Sequence, residues 1–329
     1  MKALRVNRLG EPKDVLSLED VAVPEAGPGQ LLVRVLAAAV NFPDVLMCRG
    51  TYQVRPELPF TAGVELCGEV VSLGPGATGF AAGDRVIGVA TLPWGSFAEF
   101  AVMDATRALP APPALDDAQA ASLHIGYQTA WFALHRRAGI RPGETLLVHA
   151  AAGGVGSATV QLGKAAGARV IAVVGGPDKA EVARSLGADV VVDRHQQDFV
   201  DVVKAQTAGR GADVVFDPVG GEAYARSTKC IAFEGRIVVV GFAGGELQSA
   251  PLAHALVKNY SILGLHWGLY VTNDPAAVVD CHRELTELAA SGVVAPVVGE
   301  RLSLAALADG VKRLADGLTV GRVVYKPSL

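Results

Sequence analysis

A glycine-rich segment in the middle of the chain has the composition of a turn that holds phosphate groups. Ala150–Gly156 follows a short apolar run, Leu146–Ala150, and precedes the helical pattern of Val155–Ala166. A glycine cluster placed between a strand and a helix is typical of dinucleotide-binding sites, whereas a glycine cluster alone is weak evidence. The strand–turn–helix context therefore favours a nucleotide site over a plain glycine-rich turn.

Individual positions of this turn have distinct expected tasks. Gly153 lets the main chain approach a pyrophosphate, and Gly156 lets the helix pack closely on the strand. The N–H groups at the start of the helix, including those of Gly154 and Val155, then face the phosphates. Ala151 stands where the usual motif has its first glycine, so we expect a slightly opened turn.

The residues after the next predicted strand distinguish NADPH from NADH. NAD-binding proteins place an Asp or Glu about 20 residues after the turn to bind the ribose 2′-hydroxyl, but this chain has Gly175 and Gly176 there. Lys179 and Arg194 follow, and either can pair with a 2′-phosphate; the alternative is that both are ordinary surface charges. The adjacent Asp178 counts against a phosphate. On balance the pattern predicts NADPH.

The segments around the turn alternate between apolar strands and helices. Val/Ile runs without polar alternation indicate strands buried on both faces, and the intervening helices indicate a parallel sheet. We therefore predict an α/β fold with a Rossmann-type doubly wound parallel sheet. Helices are predicted over Asp116–Gly139 and Glu222–Ile231, among others. The predicted strands of the sheet are Leu146–Ala150, Val170–Val174, Val190–Val192, Val214–Phe216, Ile237–Val240 and Ser261–Leu265.

The N-terminal part of the chain has a different pattern, because short apolar runs alternate there with Gly and Pro. This pattern predicts an all-β, barrel-like module. A short strand near Val293 and a strand over Gly321–Tyr325 are expected to bring the C-terminal segment back to this module. The N-terminal strands are predicted at Leu31–Val35, Gly68–Leu73, Asp84–Val89 and Phe97–Val102.

The composition argues against several classes of protein. Hydrophobic residues make up 50% of the 329-residue chain, charged residues make up 19%, and the net charge is −4. These values favour a compact globular protein over a nucleic-acid-binding one, which is usually basic. The four cysteines form no CxxC pair, which favours neither a disulfide framework nor a zinc knuckle. With no signal-peptide or membrane-spanning pattern in the sequence, we expect a cytoplasmic protein.

One long segment makes a family resemblance specific. Gly143–Lys164 resembles the signature of the quinone oxidoreductase and ζ-crystallin family of medium-chain dehydrogenases/reductases. The resemblance implies a GroES-like β-barrel catalytic domain from residues 1–122 and 267–329, and a Rossmann NADP-binding domain from residues 123–266. It also implies NADPH as the cofactor and a homodimer joined at the edge strand Ser261–Leu265. Shorter family-like segments are Val40–Asp44, Pro59–Glu65, Gly83–Val86 and Leu186–Asp189.

Two positions differ from the zinc alcohol dehydrogenases of the same superfamily. Those enzymes carry a Cys and a Gly-His-Glu motif where this chain has Val40-Asn41 and Gly63-Val64-Glu65. A catalytic zinc needs three protein ligands, and no such set can be assembled here, so we expect no metal. Without a Lewis acid, the expected acceptor has its own electron sink, as a quinone or an α,β-unsaturated carbonyl does.

The resemblance also implies residues that line the substrate cleft. Asn41 is expected to hydrogen-bond the cofactor or the substrate carbonyl, and Tyr52 to donate a hydrogen bond or a proton to the developing oxyanion. The alternatives are a turn residue for Asn41 and a loop aromatic for Tyr52. Asp44 either caps a helix or takes part in chemistry, and Glu65 is expected to be structural.

Four further residues are assigned to the cofactor domain. Thr129 resembles a family residue that approaches the nicotinamide, with a core-facing helix threonine as the alternative. Gly241 and Phe242 follow a predicted strand at the carboxyl edge, where such sheets bind their cofactor, and Leu265 is placed in the same group. Asp217 follows the preceding strand in the same way, but a turn residue explains it equally well.

The combined expectation is NADPH-dependent reduction of a quinone or a similar conjugated small molecule by direct hydride transfer, independent of zinc. The nearest alternative is an enoyl-thioester reductase acting on acryloyl- or crotonyl-CoA-like substrates. A basic groove for coenzyme A would favour it, with Arg49, Arg55, Arg136 and Arg137 as contributors. A crystallin-like or RNA-binding protein that retains NADPH binding is a candidate of another class, and the intact glycine turn and the acidic net charge argue against it.

Overall fold

The computed structural model describes residues 1–327. The first part of the chain forms β1 (Lys2–Val6), α1 (Pro12–Val15), β2 (Leu16–Asp20), β3 (Gln30–Ala39), α2 (Phe42–Arg49), β4 (Phe60–Thr61), β5 (Glu65–Leu73), β6 (Arg85–Val89), β7 (Phe100–Asp104), β8 (Leu109–Pro110) and α3 (Asp117–Ala121). The middle part forms α4 (His124–Trp131), a π-helical segment (Phe132–Ala138), β9 (Thr145–Val148), α5 (Gly154–Ala165), β10 (Arg169–Val174), α6 (Pro177–Ser185), β11 (Val190–Asp193), α7 (Phe199–Gln206), β12 (Ala212–Asp217), α8 (Gly221–Ser227), β13 (Ile231–Val239), α9 (Leu252–Lys258), β14 (Ser261–Gly264) and α10 (Gly268–Asn273). The last part forms α11 (Pro275–Ala290), β15 (Val298–Leu302), a 3₁₀ turn (Leu304–Ala306), α12 (Leu307–Ala315) and β16 (Arg322–Tyr325).

The chain divides into two compact units. One, the β unit, consists of residues 1–125 together with the segment from residue 282 onward, and the other, the sheet-and-helix unit, consists of residues 126–281. The domain boundaries expected from the sequence, after residue 122 and before residue 267, remain a prediction about the functional domains. Within residues 1–327, no helix has both the length and the apolar composition needed to span a bilayer.

The sheet-and-helix unit is built on a parallel sheet with the strand order β11-β10-β9-β12-β13-β14. This confirms the predicted doubly wound architecture. Every residue of the central strand β9 is buried, as expected for a strand covered by helices on both faces. The strand order reverses between β9 and β12, and ligands of such sheets bind at that switch point, outside the carboxyl ends of the strands.

The β unit contains two sheets, with the strand orders β2-β1-β4 and β15-β16-β3-β5-β6-β8, and β7 pairs with β3. The predicted return of the C-terminal segment is confirmed, because Val324 of β16 pairs with Ala39 of β3. The predicted strand near Val293 is wrong. The N–H groups of Val293 and Val294 instead bond to the Leu288 carbonyl at the end of α11, and are therefore not available to a strand ladder.

Two predicted helices differ from the structure. The helix expected over Asp116–Gly139 is broken after Ala121, where the Ser122 hydroxyl donates to the Ala118 carbonyl, and its last part is π-helical. The helix expected over Glu222–Ile231 ends at Ser227, and Ile231 begins strand β13 by pairing with Ala212. In both cases local propensity alone suggested a longer helix. A local side-chain bond accompanies the first break, and strand pairing ends the second helix.

Candidate functional site

The glycine turn joins β9 to α5. Gly153 precedes the helix as its N-cap residue, and its N–H donates to the Ala150 carbonyl at 2.9 Å. The first helical hydrogen bond runs from the Ser157 N–H to the Gly153 carbonyl at 2.8 Å. The N–H groups of Gly154, Val155 and Gly156 therefore precede the helical ladder, which is the arrangement that binds phosphates at a helix start.

Close packing explains one of the glycines in this turn. A Cβ atom built on Gly156 would lie 2.1 Å from the Ala150 carbonyl oxygen, whereas one on Gly153 would lie 3.3 Å from the same atom. Gly156 is therefore required by the approach of the helix to the strand, as predicted. The left-handed position of the turn is Ala150, with φ of 50°. The slight opening expected at Ala151 stays a prediction.

Two cations lie at the end of β10, beside Gly175. A Cβ on Gly175 would lie 3.0 Å from Nε of Arg194. The pKa of Lys179 is lowered by burial and also by the positive charge of Arg194, so the two cations lie close to one another. Such a pair is suited to a dianion such as a 2′-phosphate, because a bound dianion relieves the repulsion between the two cations.

A carboxylate that the sequence reasoning missed lies next to this pair. Asp193, the last residue of β11, accepts hydrogen bonds from the N–H groups of Gly176 at 3.0 Å and His195 at 3.1 Å. These bonds lower the pKa of Asp193. The sequence signal that could have identified Asp193 was its position at the carboxyl end of a strand next to β10. Its role is to close the turn that carries Gly175.

Three more predicted cofactor residues lie at the same edge of the sheet. Gly241 and Phe242 follow β13, and the Gly241 carbonyl accepts a hydrogen bond from the Gln248 side chain at 2.8 Å. Leu265 follows β14, is buried, and donates its N–H to the Val239 carbonyl at 2.9 Å. Because the strands are parallel, these residues share the carboxyl edge with the glycine turn and Gly175.

Thr129 is a buried residue of α4, a helix that packs against the start of α5. A Cβ on Gly126 of α4 would lie 3.4 Å from the Gly154 carbonyl oxygen. Thr129 follows Gly126 by three residues and is therefore its neighbour on the helix surface. Helix α4 thus presents Thr129 near the glycine turn.

The predicted catalytic residues belong to the β unit. Asn41 is the N-cap residue of α2 and is buried. Its amide donates to the Ala39 carbonyl at 3.1 Å and to Oε2 of Glu65 at 2.9 Å, and its oxygen accepts from Arg322 at 3.0 Å. Asn41 is therefore held in one orientation by its neighbours.

Glu65 and Arg322 form a buried ion pair around Asn41. The other carboxylate oxygen of Glu65 accepts from the Ile125 N–H at 2.7 Å, which supports the expected structural role. Sequence reasoning missed Arg322, which lies 257 positions from Glu65. A lone arginine within the apolar strand β16 was the signal that a buried partner existed.

Asp44 caps α2, one of the two roles considered for it, by accepting from the Asn41 N–H at 2.7 Å. Its other oxygen, Oδ1, is buried without a hydrogen-bond partner among residues 1–327. Burial raises the pKa of Asp44 to about 7. Tyr52 is half-buried against the core of this unit, and its pKa is raised by burial and by the charge of Asp44.

Metal-binding residue types do not cluster in the described chain. Among residues 1–327, no group of three or more His, Cys, Asp or Glu side chains is close enough to hold a metal ion. Val40 and Val64 are apolar, and Asn41 is occupied by the hydrogen bonds given above. The four cysteines are buried, and none of them forms a disulfide.

Comparison with known families agrees with this geometry. Residues 27–113 match the family described as "Alcohol dehydrogenase GroES-like domain", and residues 154–284 match the family described as "Zinc-binding dehydrogenase". The second match contains the glycine turn from Gly154 onward, as well as Gly175 and Gly241.

Individual relatives cover nearly the whole chain. The chain is 36% identical to a quinone oxidoreductase-like protein 2 homolog of Nematostella vectensis, over 98% of this chain and 88% of that protein. It is 34% identical to a phthioceranic/hydroxyphthioceranic acid synthase of Mycobacterium tuberculosis, over 95% of this chain and 15% of that protein. The structure of Escherichia coli quinone oxidoreductase complexed with NADPH has a TM-score of 0.92 and 29% identity, and the match covers 99% of this chain and 100% of that one. The chain therefore belongs to the quinone oxidoreductase family of the medium-chain dehydrogenase/reductase superfamily.

Proposed function

We propose that this protein is an NADPH-dependent reductase that transfers a hydride directly to quinones or similar conjugated carbonyls without zinc. The observation that carries the proposal is the carboxyl edge of the parallel sheet, which combines a glycine turn with two cations beside Gly175. The first feature suits a pyrophosphate and the second suits a 2′-phosphate. The NADPH complex of the Escherichia coli relative supports the same cofactor.

The fit to NADPH can be stated residue by residue. The pyrophosphate would be held by the main-chain N–H groups of Gly154, Val155 and Gly156. Gly153, whose own N–H is bonded to the Ala150 carbonyl, would let the main chain approach it. Gly175, Lys179 and Arg194 would hold the 2′-phosphate. The remaining proposed contacts are Asn41, Thr129, Gly241, Phe242 and Leu265.

NADPH, when bound, supplies the hydride for the reaction. The residues of the chain would orient the reactants, exclude water and manage the proton. Tyr52 would donate a hydrogen bond or a proton to the oxygen of the acceptor, because a tyrosine phenol is protonated at neutral pH. Asn41, fixed by Glu65 and Arg322, would contact the cofactor or substrate through the remaining lone pair of its amide oxygen, because both of its N–H groups already donate to the Ala39 carbonyl and to Glu65.

Enoyl-thioester reduction is a second candidate, favoured by the similarity to the mycobacterial synthase. An acid synthase handles acyl groups, and the hydride chemistry on an enoyl thioester is the same as on an enone. A screen of NADPH oxidation with benzoquinone, naphthoquinone, an enone and crotonyl-CoA separates the two. Turnover of quinones supports the first assignment, and turnover of the thioester alone would replace it with the second. Metal analysis of the active protein tests zinc independence.

Homodimer formation through the edge strand β14 is also proposed. Beside this strand, helix α9 exposes Leu252, Leu256 and Val257, with between 74% and 79% of each residue accessible. Apolar residues exposed next to a sheet edge are typical of a surface that another chain covers. Sedimentation velocity of the wild type and of Leu256→Lys tests this proposal. Four cysteines without a disulfide are consistent with the proposed cytoplasmic location.

A further inference from the structure

His149 and Asp217 are neighbours at the switch point of the parallel sheet. Val148 of β9 is in register with Phe216 of β12, and the His149 N–H continues the ladder by donating to the Phe216 carbonyl at 3.1 Å. The next residue on each strand is therefore His149 and Asp217, side by side. Both side chains are buried. Neither has a task in the function proposed above.

The His149 ring is held in one orientation and one tautomer. Its Nε2 lies 2.8 Å from the Ser227 hydroxyl, which donates its own hydrogen to the Ala223 carbonyl at 2.8 Å. A hydroxyl has a single hydrogen, so here it accepts, and Nε2 of His149 carries the proton. The ring also makes an edge contact with Phe199, with the ring centres 4.8 Å apart. His149 thereby ties the strand end that begins the glycine turn to helix α8.

Asp217 builds the turn that follows β12. Its Oδ1 accepts from the N–H groups of Val219 at 2.9 Å and Gly220 at 3.0 Å. Its Oδ2 is buried and has no hydrogen-bond partner among residues 1–327. Burying an unsatisfied carboxylate oxygen costs stability, so the benefit of Asp217 must come from the two hydrogen bonds that Oδ1 accepts.

The turn built by Asp217 supports the loop after β13. The Pro218 carbonyl accepts from the Ala243 N–H at 3.0 Å, and the Val219 carbonyl accepts from the Gly244 N–H at 2.9 Å. A Cβ on Gly241 would lie 3.2 Å from the Pro218 carbonyl oxygen. The position of this loop, which contains two proposed cofactor contacts, is thus set by the conformation of the Asp217 turn.

We propose that His149 and Asp217 are positioning residues that fix the glycine turn and the Gly241 loop relative to each other, so that both sides of the cofactor site have their binding geometry before the cofactor arrives. The inference rests on the proposed function and adds two residues to it. In this arrangement the Oδ1 bonds shape the turn, and the unsatisfied Oδ2 is the cost of placing an aspartate there. Preorganisation of this kind appears as affinity, because the ordering cost is absent from binding.

The test compares variants of Asp217 in the full-length protein, with NADPH fluorescence as the binding signal. Asp217→Ala removes the turn acceptor, and we expect the Kd for NADPH to rise about tenfold or more. Asp217→Asn retains an acceptor oxygen, and its Kd should stay within about threefold of the wild type. In steady-state kinetics with an acceptor that the protein reduces, the KM for NADPH should rise in parallel with the Kd. The KM for the acceptor and kcat should change by less than about threefold.

Asp213→Ala is the matched control. Asp213 lies on the same strand, at its amino end, and also accepts a main-chain hydrogen bond, from the Thr145 N–H at 2.7 Å. Its removal should lower the melting temperature without changing NADPH affinity. Equal weakening of NADPH binding by Asp213→Ala and Asp217→Ala would show a merely structural role and overturn the inference. NADPH affinity unchanged in Asp217→Ala would overturn it as well.

His149 provides a second pair of variants in case Asp217→Ala does not fold. His149→Gln retains an N–H donor for Ser227 and should bind NADPH as the wild type does, whereas His149→Leu should bind about tenfold more weakly. Similar affinity in these two variants would contradict the inference. Failure of the wild type to bind NADPH at all would instead overturn the proposed function, and this inference with it.

Discussion

The two units build their candidate sites in different ways. In the sheet-and-helix unit, the glycine turn is a contiguous segment of main chain, and its key requirement is the absence of a side chain at Gly156. In the β unit, the cluster around Asn41 consists of side chains from distant positions, joined by a buried ion pair between Glu65 and Arg322. The glycine turn depends on close packing of the backbone, whereas the cluster around Asn41 depends on balanced charge. Substitutions in the two are therefore expected to have different effects.

The largest expected effect is the loss of charge balance in the β unit. Arg322→Met leaves Glu65 buried without its partner, and breaking a buried pair from one side costs about 3–5 kcal/mol of unfolding free energy. The double variant Glu65→Gln/Arg322→Met removes both charges and should recover a large part of this loss. Urea denaturation measures both. A single variant as stable as the wild type would show that the pair is not a buried charge pair in solution.

The pH dependence of the unfolding free energy sharpens the comparison, because the contributions of Asp44 in the β unit and His149 in the sheet-and-helix unit should change with pH in opposite directions. The pKa of Asp44 is raised to about 7, so between about pH 4 and pH 7 the folded state holds a proton that the unfolded state releases. Stability relative to Asp44→Asn should therefore fall as the pH rises through this range, by on the order of 3 kcal/mol in total.

In the sheet-and-helix unit, burial lowers the pKa of His149 to about 4, and the charge of Asp217 opposes this shift. The unfolded state then binds a proton that the folded state does not bind between about pH 6.5 and pH 4. Stability relative to His149→Gln should therefore fall as the pH falls. Urea denaturation at half-unit pH steps measures how the difference in unfolding free energy between the wild type and each variant changes with pH. A change of the same sign for Asp44→Asn and His149→Gln would contradict the contrast between the units.

A smaller effect is expected from added volume in the glycine turn. Gly156→Ala places a Cβ 2.1 Å from the Ala150 carbonyl oxygen, and overpacking of this kind costs roughly 1–3 kcal/mol. Gly153→Ala, with its nearest contact at 3.3 Å, is the control for unfolding and should be destabilised less, while its added methyl group should still weaken NADPH binding. Thermal unfolding and NADPH titration report the two consequences. If both variants resembled the wild type, the close approach of helix and strand would not constrain the turn.

The contrast between contiguous segments and clusters of distant residues also explains how much of the molecule could be predicted from its sequence. The parallel sheet and the glycine turn were predictable because buried strands and glycine turns leave short, contiguous patterns. The break after Ala121 was not, because it depends on the Ser122 hydroxyl bonding back to Ala118. The contact of Arg322 with Asn41 and Glu65 was not predictable either, since no local pattern relates β16 to residues so far away in the chain.

The smallest effect concerns Tyr52. Tyr52→Phe removes a hydroxyl that is proposed to stabilise the oxyanion and leaves the ring packed on the core, so kcat should fall about tenfold, or about 1.4 kcal/mol, with stability little changed. A rate equal to that of the wild type would remove Tyr52 from the reaction. Asn41 is the contrasting position, because its amide is shared with the Glu65–Arg322 pair and its replacement should lower stability as well as rate.

The most direct test of the account is the cofactor preference of the wild type and of Lys179→Ala, measured as kcat/KM for NADPH and NADH with one accepted quinone or enone. The two cations beside Gly175 predict a preference for NADPH of at least about tenfold in the wild type, and a clear loss of that preference in Lys179→Ala with the NADH rate unchanged. Equal use of NADPH and NADH by the wild type would contradict the account.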